Sequence, residues 1–166
     1  MLANVEFEVM AELSPDELAA FYDRQSHRTT HDAEKLRAQI ANTYCLVVAR
    51  RDGDLIGLAR GITDGVWGCL VECKLDPAQQ GPACVTKTDG RIEHDSWGIA
   101  HEMARRVIGA LRDSGVERIM VMAHETELDF CLDLGFKRVK GMDVLSFDAA
   151  TGVVPAFAAS ESHAAS

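Results

Sequence analysis

The first part of the chain shows the apolar and polar pattern of a strand followed by a helix. From Val5 to Met10, apolar residues alternate with charged ones, which is typical of a half-buried strand. Ser14 then suits a helix N-cap, Pro15 suits the first turn, and Glu17 completes a capping box. The sequence therefore predicts a strand and then an amphipathic helix.

A second helix is predicted over about residues 32–40. Asp32 is a suitable N-cap, and Leu36 and Ile40 lie four residues apart on one face. The linker over residues 27–31 is polar, so we expect it to be exposed.

Three apolar runs in the middle of the chain predict an antiparallel meander. They cover residues 44–49, 55–59 and 66–75, and an Asp-Gly step at Asp52 separates the first two. An Asp-Gly step between two apolar runs is a strong hairpin signal. The second turn contains Gly65.

The second half of the chain alternates helix and strand patterns. Apolar residues at spacings of three and four predict a helix over 101–111, and Gly115 follows as its C-terminal signal. The run 118–123 predicts a central buried strand, a helix is expected over about 127–134, and 144–147 predicts a last strand.

The predicted order β-α-α-β-β-β-α-β-α-β indicates an α/β (α+β) domain with a mixed, mostly antiparallel central sheet flanked by helices. We assign residues 1–148 to this single domain. Residues 149–166 are rich in Ala and Ser and predict a loosely ordered tail.

Composition narrows the classes of function. The 17 basic and 26 acidic residues give a formal charge of −9, which disfavours nucleic acid and anionic membranes as partners and favours cationic ligands. The five cysteines show no zinc-ligand spacing, and we expect no metal site. With no signal-peptide pattern and no apolar run long enough to cross a membrane, we expect a cytoplasmic protein.

Two segments contain short motifs beside predicted helices. The strand end Cys73-Lys74-Leu75-Asp76-Pro77 precedes Gln80-Gly81, and Trp97-Gly98-Ile99-Ala100 opens a helix, with the fifteen residues 82–96 inserted between them. Without the insert, the sequence resembles the Gln/Arg-x-x-Gly-x-Gly/Ala pattern of the GNAT acetyltransferases. Phe130 to Lys137 resembles the family's Phe-Tyr-x-x-x-Gly-Phe segment. The resemblance covers about residues 5–147.

The first motif has a physical rationale. A helix N-terminus carries unpaired N–H groups and a partial positive charge, and small residues such as Gly98 and Ala100 let a pyrophosphate approach them. The alternative is that these residues only permit tight helix packing. The resemblance implies that acetyl-CoA binds to Gln80, Gly81, Trp97, Gly98, Ile99 and Ala100, and that the backbone of Leu75 binds its pantetheine arm.

Candidate catalytic residues follow from the same resemblance. Cys131 stands where many members have the tyrosine that protonates the leaving thiolate; it is either that acid or a small core residue, and water can supply the proton instead. His124 is a candidate acid or base, or a solvated loop residue. Glu72 is the candidate general base, or a strand carboxylate facing solvent or a cation such as Lys74.

The insert 82–96 has two interpretations. Residues 85–92 flank an Asp-Gly step and predict a small hairpin. The insert is either a lid whose Glu93 and His94 meet the acceptor amine, or a surface excursion or dimer contact. Lys87 or Arg91 is a further candidate for contact with the 3′-phosphate of the coenzyme.

Together these features predict an N-acyltransferase that moves an acetyl group from acetyl-CoA to a small-molecule amine by direct attack. The alternative from another class is a non-catalytic acyl-CoA-binding or regulatory module. A member that modifies a protein N-terminus or a charged tRNA is a third reading, and the charge of −9 disfavours the tRNA. The resemblance also suggests a homodimer.

Overall fold

The computed structural model describes residues 2, 4–25, 32–84 and 89–157. Five strands and four helices follow one another in these ranges. Short 3-10 turns at Pro77–Gln79 and Glu125–Glu127 separate some of them. In chain order the elements are β1 (Val5–Val9), α1 (Pro15–Arg24), α2 (Ala33–Ala41), β2 (Cys45–Arg51), β3 (Asp54–Thr63), β4 (Trp67–Leu75), α3 (Ile99–Asp113), β5 (Arg118–Val121) and α4 (Leu128–Asp133).

The first two helices begin at the predicted caps. Ser14 Oγ accepts a hydrogen bond from the Glu17 N–H at 3.1 Å. Asp32 Oδ1 accepts one from the Glu34 N–H at 2.9 Å. Each bond satisfies an N–H group that the helix itself leaves without a partner. The linker predicted over residues 27–31 lies outside the described residues.

The strands form one mixed sheet in the order β1-β2-β3-β4-β5. Neighbours from β1 to β4 pair antiparallel, as the predicted meander requires, and β5 pairs parallel to β4. The parallel pair is possible because α3 carries the chain back across the sheet between these two strands. The predicted α+β fold with a mixed, mostly antiparallel sheet is confirmed.

Each face of the sheet has its own apolar core. Successive residues of β2 point to opposite faces, so Val47 packs in the α3 core and Val48 packs in the core beneath α1 and α2. On the α3 side the buried helix residues include Met103 and Val107, and on the other side they include Phe21. Neighbouring residues of β4 also point to opposite faces of the sheet, so their side chains lie in different surroundings.

Two sequence predictions were wrong at the end of the sheet. The run 118–123 does not form a central strand: β5 ends at Val121, its residues alternate between exposed and half-buried, and it pairs only with β4 in the described part of the chain. No strand forms over 144–147, where Leu145 is 90% exposed. β propensity reflects fit to a neighbouring strand, and this segment has none in the described ranges.

Residues 149–157 form no helix or strand and are exposed, while 158–166 lie outside the described residues. The boundary at 148 therefore remains a prediction. No helix in the described ranges has the length and apolar character needed to cross a bilayer.

Candidate functional site

A cleft opens where β4 and β5 separate. The two strands pair only from Trp67–Leu70 against Arg118–Val121, whereas β4 continues to Leu75 along β3. The resulting cavity has a volume of about 320 Å³. β4, β5, α4 and the insert all contribute to its lining, which consists of Leu70, Val71, Glu72, Cys73, Lys74, Arg91, Val121, Met122, Glu127, Phe130 and Cys131.

Glu72, the predicted base, lines this cleft and belongs to a buried polar network. Arg60 Nε donates to Glu72 Oε2 at 2.8 Å, and both side chains are 11% exposed. The Tyr22 hydroxyl donates to the same oxygen at 2.8 Å. Burial, together with the charge of Glu72, raises the pKa of Tyr22 well above its usual value, so Tyr22 stays protonated as a donor.

Tyr22 and Arg60 were not among the predicted site residues. Tyr22 lies on the buried face of α1, but nothing in the sequence indicated that its hydroxyl meets a carboxylate fifty residues away. Arg60 lies opposite Glu72 in the antiparallel register of β3 and β4, so the ion pair follows from strand pairing.

The second carboxylate in the cleft, Glu127, was also missed. Its Oε2 accepts a hydrogen bond from the His124 N–H at 3.3 Å, and its Oε1 accepts one from the Ile92 N–H at 3.2 Å. His124 itself is exposed, and its ring Nδ1 accepts from the Thr126 N–H at 3.3 Å. This is a capping box, so the His-x-x-Glu spacing was the available signal for Glu127.

Cys131 lies against the cleft from α4 and is 5% exposed. Burial, with a smaller contribution from the charge of Glu127, raises its pKa to about 11. Lys74 reaches the cleft from β4; burial lowers its pKa, and its Nζ donates to the Asp89 carbonyl at 2.6 Å. The cleft thus holds two carboxylates, a buried amine and a thiol that stays protonated near neutral pH.

The two ends of the insert meet beside Gly81. The Ser96 N–H donates to the Gln80 carbonyl at 3.1 Å. Gly81 has a φ of +111°, and a Cβ there would lie 2.5 Å from Ser96 Oγ. Glycine is therefore required at this position both for its backbone angle and for the close approach of Ser96. The fold brings the two halves of the interrupted motif together.

The N-terminus of α3 is open on one side. Gly98 is its N-cap with a φ of +74°, and a Cβ there would meet no atom within 4 Å. Ile99 and Ala100 are fully buried, and Trp97 packs against the α3 core. The space beside Gly98, where a side chain would project, is therefore open.

A carboxylate from the insert already contacts this helix end. Asp95 Oδ1 accepts from the Ala100 N–H at 3.1 Å, and Asp95 Oδ2 accepts from the His101 N–H at 2.8 Å. Asp95 was not among the predicted site residues. An acidic residue just before a helix start is a known capping signal, and that signal could have identified it.

The side chain of Gln80 turns inward. It is fully buried, and its Oε1 accepts from the N–H groups of Glu93 at 2.9 Å and His94 at 3.2 Å. Its Nε2 donates to the Arg91 carbonyl at 2.7 Å and the Leu75 carbonyl at 3.2 Å. The amide of Gln80 thus holds the insert against the end of β4.

Glu93 and His94, the predicted acceptor contacts, lie on the insert but not among the residues that line the cleft. Their side chains are near each other, with Glu93 Oε1 3.7 Å from His94 Nε2. The hairpin predicted over 85–92 falls partly on residues 85–88, which lie outside the described ranges. Within those ranges no group of His, Cys, Asp and Glu side chains is arranged to hold a metal ion.

No family model matches the chain, and no curated protein matches it by sequence. Its structure, however, is similar to solved acetyltransferases. A GNAT-family acetyltransferase from Streptococcus pneumoniae TIGR4 is 14% identical, with a TM-score of 0.64 over 87% of this chain and 99% of the other.

Two aminoglycoside enzymes show the same similarity. The aminoglycoside N-acetyltransferase AAC(6′)-Iy, solved with CoA, is 13% identical and has a TM-score of 0.62 over 86% of this chain and 93% of its own. An aminoglycoside acetyltransferase from an uncultured soil metagenomic sample, solved with sisomicin, is 13% identical, with a TM-score of 0.61 over 87% and 96%. The chain therefore has the fold of the GNAT acetyltransferases.

Proposed function

We propose that this chain is an acyl-CoA-dependent N-acyltransferase that moves an acetyl group from acetyl-CoA to an amine of a small molecule. The observation that carries the proposal is the cleft between β4 and β5, in which two carboxylates, Glu72 and Glu127, lie beside the end of β4. Structural neighbours that bind CoA or an aminoglycoside support the same chemistry.

In this proposal the coenzyme binds to backbone groups. The pantetheine arm lies along β4 at Leu75, and the pyrophosphate approaches the N-terminus of α3 past Gly98 and Gly81. The open space at Gly98 favours this placement. Gln80 acts indirectly, because its buried amide positions the backbone around it and does not reach solvent.

The amine attacks the thioester carbonyl carbon and must lose a proton to do so. We assign the proton to Glu72, which lines the cleft and forms an ion pair with Arg60. The carboxylates of Glu72 and Glu127 also attract a cationic acceptor, in keeping with the net charge of −9. The tetrahedral intermediate then collapses, the C–S bond breaks, and the coenzyme leaves as a thiolate.

Cys131 is a poor donor for that thiolate. With its pKa at about 11, against ~8.5 for an unperturbed thiol, proton transfer from Cys131 to the coenzyme is uphill by ~3 kcal/mol. We therefore assign the final proton to water and treat Cys131 as a wall of the cleft. His124 is likewise assigned to its turn, since its ring caps the Thr126 N–H.

The test is release of free coenzyme thiol from acetyl-CoA in the presence of a panel of primary amines. We expect release that depends on both substrates. The variant Glu72→Gln should slow the reaction most at acidic pH, where the amine is mostly protonated, and least at alkaline pH, where free amine is abundant. Glu102→Gln is the matched control, because it removes the same charge from an ion pair on α3. A pH profile of Glu72→Gln parallel to that of the wild type would exclude Glu72 as the base.

The raised pKa of Cys131 also agrees with the alternative function, a non-catalytic acyl-CoA-binding module. The two functions differ in one result of the same assay. Saturable binding of acetyl-CoA without thiol release on any amine would favour the module, whereas thiol release with one amine is sufficient to establish the transferase.

A further inference from the structure

The insert contacts β4 at the point where the proposed pantetheine arm binds. The Gly90 carbonyl accepts a hydrogen bond from the Leu75 N–H at 3.1 Å, and the Asp89 carbonyl accepts one from Lys74 Nζ at 2.6 Å. An extended ligand that binds along a strand uses the same backbone groups. The insert thus takes up the N–H group that the pantetheine contact requires.

The insert also places a negative charge where the pyrophosphate is proposed to bind. The Asp95 carboxylate accepts hydrogen bonds from the N–H groups of both Ala100 and His101. A carboxylate is stabilised at a helix N-terminus for the same reason as a phosphate, because both meet unpaired N–H groups and the positive end of the helix dipole.

Both contacts belong to one anchored segment. Gly90 and Asp95 are five residues apart, a span of at most about 17 Å in an extended chain. Between them Ile92 is fully buried in the α3 core, and its N–H donates to Glu127. Gln80 holds the backbone on either side of Ile92. The segment is therefore fixed in the groove by apolar burial and by hydrogen bonds along its length.

We propose that residues 89–95 are an internal competitor of acyl-CoA, which occupies the coenzyme groove until the coenzyme displaces it. The Gly90 carbonyl takes the place of a pantetheine oxygen, and the Asp95 carboxylate takes the place of a phosphate. This inference rests on the proposed function, since it concerns the regulation of the same site. It assigns the insert a role different from the acceptor-binding lid suggested by Glu93 and His94.

Competition of this kind lowers the apparent affinity for the coenzyme. When the binding-competent form is a fraction of the molecules, the apparent dissociation constant rises by the inverse of that fraction. A variant that undocks the insert without altering the groove should therefore bind more tightly. If the insert is docked in about 90% of molecules or more, the gain is at least about tenfold.

Two single substitutions loosen the two ends of the segment separately. Asp95→Ala frees the N–H groups of Ala100 and His101. Gly90→Ala displaces the other end, because a Cβ at Gly90 would lie 1.9 Å from Gln25 Oε1, and its φ of +68° disfavours any side chain. The experiment measures binding of free coenzyme A to each variant by calorimetry, with circular dichroism to verify folding.

Each variant has a matched control. Glu102→Ala removes one negative charge from the same helix end as Asp95→Ala, but its carboxylate bonds to Arg105 and Arg106 and not to the helix N–H groups. Gly53→Ala introduces a side chain at a similar φ of +86°, in a turn where a Cβ meets no atom within 4 Å. The controls should bind coenzyme A as the wild type does, and Asp95→Ala and Gly90→Ala should bind it more tightly, by up to about tenfold if the insert is docked in about 90% of wild-type molecules.

The outcomes separate the two proposals. A gain in affinity for Asp95→Ala or Gly90→Ala that its control lacks supports the competition, and if one variant does not fold, the other decides. Unchanged or weaker binding by the folded variants, in a wild type that binds coenzyme A, overturns the competition and leaves the acyl-transfer proposal intact. Absence of binding by the wild type and by every folded variant overturns both.

Discussion

The ion pair between Arg60 and Glu72 allows a quantitative test of the buried network. In Arg60→Met, the carboxylate of Glu72 remains in a site where it is 11% exposed, without its cation. Removing one partner of a buried pair costs about 3–5 kcal/mol, whereas exposed pairs contribute ~1 kcal/mol or less. We expect a loss of about 3 kcal/mol, at the low end of that range, because Tyr22 still donates to Glu72.

The assay is urea unfolding of wild type and Arg60→Met at pH 7. The control Arg105→Met breaks an exposed pair with Glu102, in which Arg105 is 61% exposed, and should destabilise the protein far less than Arg60→Met does.

A double-mutant cycle completes the test. Arg60→Met combined with Glu72→Gln leaves no buried charge, so it should be less destabilised than the sum of its two single variants. The reasoning is refuted if Arg60→Met costs as little as Arg105→Met, or if the effects of Arg60→Met and Glu72→Gln are additive.

Three further predictions follow from individual residues. Gly98→Val and Gly115→Val should each lose ~1–2 kcal/mol of stability, because both glycines have a positive φ and neither has an atom within 4 Å of the position that a Cβ would take. Only Gly98→Val should also lose acyl-CoA binding. Equal binding by both variants would contradict the placement of the site. Gly81→Ala should destabilise the fold by ~2 kcal/mol through overlap with Ser96, and adding Ser96→Gly should restore part of this loss in thermal melts. The pKa of Cys131 is raised from 9.0 to about 11 in the folded protein, so its contribution to stability is complete below pH 9 and is lost as the pH rises towards 11. The loss should be ~1 kcal/mol at pH 10. In urea titrations, Cys131→Ala should lose correspondingly less stability at alkaline pH than the wild type.

The elements that depend on local signals were predictable from the sequence. Ser14 and Asp32 cap their helices as expected, since a cap needs only residues within one turn. The meander followed from three apolar runs and an Asp-Gly turn. The predicted strand over 144–147 was wrong because a strand also needs a partner, and apolar residues alone do not provide one.

The candidate site was predictable only in part. Small residues at Gly98 and Ala100 pointed to the start of α3, and Glu72 was placed correctly on β4, where it lines the cleft. The surroundings of Glu72 depend on tertiary contacts with Tyr22 and on strand register with Arg60, neither of which a single sequence displays. The packing of the insert depends in the same way on Ile92, one apolar residue in a polar segment.

The buried amide of Gln80 makes the residue at position 80 and the insert depend on each other. A deletion of residues 82–96 in one step would leave the amide inside the protein without the backbone groups of Arg91, Glu93 and His94, and would open the space that Ile92 fills. An unsatisfied buried polar group and a new cavity each lower the free energy of unfolding by an amount on the order of kilocalories per mole. A chain that lost the insert in one step would therefore have to turn the Gln80 side chain towards solvent or a ligand, so the insert determines which way this residue faces.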